Sequence, residues 1–291
     1  MSVSLFIRIA PLLFVVLWAT GFVVARLSAG HVEPLTFLAI RFPIAAFVML
    51  VIALHKRSPW LNRTQAAHAG VAGVLMHAVY LGPIYWAVTQ GLPGGVAALI
   101  VGLQPLITAF LAARVLGDAI GVRHWLGLAV GIAGVGLVLV PKLSLVATTG
   151  ITPLTVGLAL LGTLGISAGT VYQKKYATGL HIASGGFWQY LGGSLVVGLG
   201  AFLLEDFGFD GSFEAWFSLG WAVVVLSIAA VMVLMMLIKQ GAVAQVSSLI
   251  FLVPAVTALM TYVIFGETLS FVQIGGMALC TAAVLMVNRS A

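Results

Sequence analysis

The residues able to do chemistry in this chain are few, and nearly all of them lie inside apolar stretches. Gln104, followed at once by Pro105 and one turn later by Thr108, offers an amide that both donates and accepts hydrogen bonds. His77 and Tyr80, three residues apart, fall on one helix face. Trp18 lies deep in the first apolar stretch. Ser167 with Thr170, Trp188 beside Gln189 and Tyr190, and Gln245 with Ser247 and Ser248 add further polar and aromatic groups. Pro105 and Pro254 each remove a backbone N–H and set a ring against the carbonyl four residues earlier, at Val101 and Ile250. Gly102 and the small residues nearby make both stretches candidate hinges. Amides, hydroxyls, aromatic faces and freed backbone groups bind a polar solute; they do not break bonds. The covalent alternative is Ser167, because Gly165-Ile166-Ser167-Ala168-Gly169 fits G-x-S-x-G. That pattern is a nucleophile elbow only on a strand–turn–helix, whereas here it lies within an apolar helix. A base must also come within hydrogen-bond reach, and His77 is the one deep histidine.

Charge narrows the chemistry further. No carboxylate lies mid-stretch: Glu33 and Glu267 sit at ends and the others in loops. Proton-coupled carriers usually place an Asp, Glu or His within the membrane, and only His77 has the depth. Arg26 and Arg41 are expected near an outer edge, where a long side chain snorkels to water. A phosphorylated ligand would want several buried cations, so a small neutral or zwitterionic ligand is expected. A single cysteine, Cys280, excludes an internal disulfide and any multi-cysteine metal site. No metal or cofactor is expected.

These groups must be positioned by membrane-spanning helices. Hydrophobic residues make up 62% of the 291 and charged residues 7%, with mean hydropathy +1.19. A soluble domain is about 25% charged, so this chain lacks the surface of a soluble globule. Its 34 glycines exceed the usual share of about 7%, as close helix packing in lipid requires. A spanning helix needs about 20 apolar residues. Ten such stretches occur, at roughly 7–28, 34–54, 67–89, 95–115, 121–140, 153–173, 182–204, 217–238, 243–265 and 270–288. The first runs past Ala25, so a full span rather than a cleaved leader is expected. Trp60, Trp125, Trp216 and Trp221 lie at span ends and suit interfacial belts.

With the N-terminus inside, Arg8, Lys56, Arg57, Arg63, Arg114, Arg123, Lys174, Lys175, Lys239 and Arg289 all fall on the cytoplasmic side. The far side takes Lys142, the outer ends near Arg26 and Arg41, and the acidic group Glu205, Asp206, Asp210 and Glu214. The net charge of +6 therefore reflects basic cytoplasmic loops, and no nucleic acid is expected as a partner. Both termini are expected inside.

The chain also repeats itself. Residues 91–142 align with 241–290 through Leu99-Ile100 and Leu249-Ile250, Pro105 and Pro254, and Gly117-Asp118 and Gly266-Glu267. Ten spans in two copies leave five per copy, and an odd number inverts one copy relative to the other. The expected architecture is all-α, with an N-terminal five-helix repeat at 1–142 and its inverted partner at 143–291. Inverted repeats with paired helix breaks mark transporters whose site lies between the halves. A lone copy of the chain suffices for such a path, so a monomer in a lipid bilayer is expected. An ion channel would want a polar filter or rings of like charge, and none is present. A lipid or lipid-linked substrate would suit the same inverted halves.

The chain resembles the drug/metabolite transporter superfamily, in particular the EamA-type permeases. The residues that carry the resemblance are Leu17-Trp18-Ala19-Thr20-Gly21-Phe22, Glu33-Pro34-Leu35-Thr36-Phe37-Leu38-Ala39-Ile40-Arg41-Phe42, Leu116-Gly117-Asp118 before the Gly127-to-Gly136 helix, and Phe265-Gly266-Glu267 before Gln273-Ile274-Gly275-Gly276. The likeness extends over nearly the whole chain and departs most around 181–204. It implies export of amino acids and related metabolites across a bacterial inner membrane. The aromatic residues of the third and seventh stretches resemble the amino-acid exporter branch.

Overall fold

The computed structural model describes residues 3–28, 30–92, 97, 100–143, 150–240, 243–265 and 270–288. The helices are α1 (Val3–Ser28), α2 (Pro34–His55), α3 (Arg63–Thr89), α4 (Gln104–Val115), α5 (Val122–Leu143) and α6 (Pro153–Tyr176), followed by α7 (Ile182–Leu204), α8 (Phe213–Gln240), α9 (Val243–Ser248), α10 (Leu252–Phe265) and α11 (Phe271–Asn288). Among the described residues the only β pairing is an isolated bridge between Val32 and Phe209. Six segments are long and apolar enough to cross a membrane, namely α2, α3, α6, α7, α8 and Val246–Ile264, and shorter apolar runs occur at Ile9–Gly21, Val122–Val138 and Phe271–Val287. Part of the stretch expected at 95–115, and the repeat's Leu99 and Gly266-Glu267, lie outside the described residues.

Local sequence starts these helices. Pro34 opens α2 and Pro153 opens α6, where a missing N–H has no intrahelical acceptor to serve. Asn62 with Gln65, and Thr152 with Thr155, form reciprocal capping boxes. In α3 the segment Val74–Val79 widens to a π-helix. It ends at Val79, four residues before Pro83, whose ring would crowd that carbonyl in a regular α-turn.

Packing follows the small residues. Gly73 brings α3 so close to α7 that a Cβ would lie 1.9 Å from the Gln189 carbonyl oxygen. Gly134 does the same for α5 on α11, where a Cβ would meet the Cys280 backbone nitrogen at 2.8 Å. The Gly127-x-x-x-Gly131 and Gly192-Gly193 features also lie at helix contacts, against Val287, Phe251 and the Gly70 backbone. α5 and α11 run antiparallel, as Gly127 against Val287 and Val138 against Gln273 require. α2 and α7 also run antiparallel, with Met49 on Gly186 and Leu35 on Gly200. Two buried clusters form the core, one around Phe14, Leu128 and Phe251, the other around Phe42, Tyr190 and Leu219, and Trp18 and Leu81 touch both. Phe47, Leu195, Phe202 and Phe271 stand out from the bundle, a surface made for lipid rather than water.

Polar contacts tie the loops at each end. At one end the Glu205 carboxylate accepts from the backbone N–H groups of Leu35 and Thr36 and from the Thr36 hydroxyl. There Glu33 accepts from the Gly208 N–H, and His31 pairs with Asp210 at 2.6 Å. Ser212 donates its backbone N–H to Asp210. That bond first, and His31 second, holds the Asp210 carboxyl down at about 2. At the opposite end Ser184 donates to the Pro59 carbonyl, and the Lys174 ammonium to that of Ile238.

Candidate functional site

Both prolines expected to mark helix breaks lie just after one, near the start of a new helix. The chain turns at Gly102 and Leu103, and Pro105 falls in the first turn of α4. In the second half a 3-10 turn at Leu249–Phe251 separates α9 from α10, and Pro254 is the third residue of α10. The first N–H groups of a helix have no intrahelical partner, so proline costs least there.

Between these breaks lies a constricted cavity. Its walls include Trp18 of α1, Gln104 of α4, Thr170 of α6 and Ser247 of α9, closed by Phe14 and Ile250. It has room for about one water molecule, so any larger solute requires the surrounding helices to part. Gln104 is buried and reaches the Thr108 hydroxyl at 3.5 Å. Ser167 donates to the carbonyls of Thr163 at 2.8 Å and Gln104 at 3.4 Å, which ties α6 to the start of α4. Thr170 spends its hydroxyl proton on Ile166. The Ser247 hydroxyl is buried with no partner. Among the described residues no charged side chain lines the cavity. Tyr80 packs in the same cluster as Phe14 and Trp18.

His77 lies beside this group rather than in the cavity wall. Its ring stacks on Tyr190 at 4.5 Å and tilts against Phe42 at 5.5 Å, and its Nε2 is buried without a partner. The Ser167–His77 hydrogen bond that a hydrolase would need is not made. Trp188 is not brought to the cavity. It lines a separate groove along α3 and α7 with Leu61, Arg63, Ala66 and Leu195. Gln245 belongs to α9, but its side chain lies outside the described residues.

Arg41 departs from expectation. It does not reach the outer edge: its residue is 6% exposed, and its Nε donates to the Ser227 hydroxyl at 2.7 Å. Ser227 sits midway along α8, and its carbonyl takes the Tyr190 hydroxyl hydrogen bond. The side chain of Arg41 therefore extends inward among rings instead of outward to water, with its guanidinium carbon 5.7 Å from the Phe42 ring. A lone arginine inside an apolar stretch was the signal for this group, since ionisable residues at membrane depth are functional candidates by default.

Known proteins place this architecture. The chain is similar to the "Uncharacterized inner membrane transporter YedA" of Escherichia coli (strain K12), 26% identical over 276 residues that cover 94% of this chain and 87% of that protein. It is similar also to a "Probable amino-acid metabolite efflux pump" of Salmonella typhimurium, 26% identical over 284 residues, 93% of this chain and 91% of that one. A solved crystal structure shares its fold at a TM-score of 0.82 and 18% identity, covering 98% of this chain and 97% of its own. The sequence pattern of the EamA-like transporter family matches twice, at residues 5–140 and again at 153–289. Two matches that between them reach every helix described above, breaks and cavity walls included, leave one conclusion: this chain is an integral membrane protein that belongs to the EamA-like transporter family.

Proposed function

We propose that this transporter exports small neutral or zwitterionic metabolites, amino acids foremost, by alternating access, and that it runs down the substrate gradient. The carrying observation is the cavity itself: an amide, hydroxyls and a tryptophan from both halves of the chain, with no charged group in the wall. The name of the Salmonella relative supports the substrate class. The doubled family match and the antiparallel packing of α2 on α7 and α5 on α11 support two inverted five-helix repeats, 1–142 and 143–291, acting as one transport unit. Alternating access is then a rocking of one half on the other about the breaks at Gly102–Pro105 and Leu249–Pro254. The charge distribution of the loops supports both termini in the cytoplasm, and the name of the Escherichia coli relative supports the inner membrane of a bacterium. The transporter works as a monomer and without a cofactor.

The test is counterflow of labelled amino acids in proteoliposomes with no imposed ion gradient. Accumulation of several neutral members of an aromatic, aliphatic and hydroxyl-bearing panel supports the reading. Silence across the panel with folded protein sinks it. Transport that depends on a pH gradient, and loses that dependence in His77→Ala, overturns the facilitative mechanism. A lipid-like substrate is the second reading, favoured by the apolar groove beside Trp188. Flipping of a fluorescent phospholipid by the same vesicles would establish it.

A further inference from the structure

Arg41 is a cation without a counter-charge among the described residues. A guanidinium keeps its proton in proteins, and a buried charge needs an opposite charge or a full set of hydrogen bonds. The Nε–H of Arg41 is committed to Ser227, but no Asp or Glu among the described residues pairs with it. Glu205 is spent on Leu35 and Thr36, and Glu33 on Gly208. The Phe42 ring, 5.7 Å from the guanidinium carbon, offers only a weak cation–π contact. The Tyr190 hydroxyl is already given to the Ser227 carbonyl. Tyr85 packs against the buried cluster that holds Phe42 and Tyr190, and Tyr80 belongs to the adjoining cluster against which Trp18 packs, each with a hydroxyl able to donate. Ser227 thus serves one N–H of the guanidinium and the Tyr190 hydroxyl, and no carboxylate among the described residues meets the rest of the guanidinium. An anion with a flat, forked face is what such donors fit, because guanidinium and carboxylate pair through two parallel hydrogen bonds.

We propose that Arg41 receives the carboxylate of the transported solute, with Tyr80 and Tyr85 donating to its oxygens and the remainder of the solute directed past Tyr80 toward Trp18 and Gln104. The inference rests on the proposed function only in taking the carboxylate to be the solute's. It adds a requirement that function does not contain: the solute must carry a carboxylate. It also gives the charged end of a zwitterion a partner that the neutral cavity lacks.

Thermal unfolding of the purified full chain in detergent, with phenylalanine, benzoate, benzamide, phosphate and chloride at matched ionic strength, tests this without relying on transport. Phenylalanine and benzoate are expected to raise the melting temperature saturably, and benzamide, phosphate and chloride are not. Arg41→Gln is expected to weaken the benzoate effect by at least about tenfold, as loss of a charge-assisted pair should, and Arg41→Lys to restore part of it. Should Arg41→Gln not fold, Tyr85→Phe removes one hydroxyl alone and is expected to weaken benzoate several-fold and leave the unliganded melting temperature unchanged. Equal protection by benzamide, equal protection by phosphate or chloride, or full protection in Arg41→Gln would overturn the proposal. Benzoate protection through Arg41 together with silent amino-acid counterflow would sink the proposed function and leave this assignment standing. Counterflow of amino acids by Arg41→Gln at the wild-type rate would do the reverse.

Discussion

Gln104 and Trp18 meet at the cavity for opposite reasons: one supplies a donor and an acceptor where helix α4 begins, the other a large apolar face. An amide that recognises a solute should matter more to transport than to folding. Gln104→Ala is therefore expected to lower the transport kcat/KM for neutral amino acids about tenfold, the equivalent of ~1.4 kcal/mol, with a melting temperature close to that of the parent. Trp18→Ala removes more contact and is expected to cost more of both. Ser167→Ala separates two readings of the same hydroxyl. As a tie between α6 and the Gln104 carbonyl, it should cost a few-fold in rate, whereas loss of a nucleophile would abolish activity. Sequence alone placed Trp18 and Gln104 at the depth of the cavity they line, because depth in a span can be counted from its ends. It misplaced Arg41 because the same count gives the position of Cα and not the direction of a side chain about 6 Å long. Whether such a chain runs outward to water or inward to Ser227 is decided by neighbours on α3, α7 and α8, which no local pattern reveals.

Helices here meet through backbone, and that sets the cost of altering them. A Cβ at Gly73 would overlap Gln189, so Gly73→Ala is expected to force α3 and α7 apart and lower stability by about 1–3 kcal/mol, read as a lower melting temperature in detergent. Glu205 acts as a cap supplied from a distance: the last turn of α7 ends in a carboxylate that serves the first N–H groups of α2. Glu205→Ala is expected to cost about 1–2 kcal/mol and to expose the Leu35 and Thr36 amides to hydrogen exchange. The neighbouring Asp210 gives this end of the bundle its acid response. Its carboxyl is held at about 2 in the folded chain, against roughly 3.9 when unfolded. The contribution is complete above the unfolded value and lost as pH falls through the folded one. Fluorescence of Trp216, whose ring lies 4.8 Å from Phe209, should show an acid transition that follows the folded carboxyl, centred at about 2. Asp210→Asn should remove that change. Apolar runs and proline positions were legible as elements, but the π segments were not. Val74–Val79 and Ala222–Ala230 contain no proline or glycine to mark them off from an α-helix, and an apolar run reads the same in either hydrogen-bond register.

At the scale of the whole molecule, charge and packing sort the chain into two ends. The loops that carry Lys56, Arg57, Lys174 and Lys239 are joined through Pro59–Ser184 and Lys174–Ile238, while Glu33, Glu205 and Asp210 gather at the other end. Sequence could read this division because retention of Lys and Arg in the cytoplasm acts on loops one at a time. It could not read which helices of the two halves lie side by side, since contacts such as Gly134 on Cys280 join residues far apart in the chain. The orientation is open to a direct chemical test, helped by the chain's single cysteine. Cys280 is buried in the packed seam of α5 and α11, so a polar maleimide should leave the parent protein unmarked and any new thiol can be read against a blank background. Asp206 and Lys56 are both exposed and lie at opposite ends of the bundle. With both termini inside, Asp206→Cys should react with a membrane-impermeant maleimide in spheroplasts, and Lys56→Cys only after the membrane is opened. The opposite pattern would reverse the molecule in the membrane, and with it the side to which the acidic end at Glu205 and Asp210 is turned.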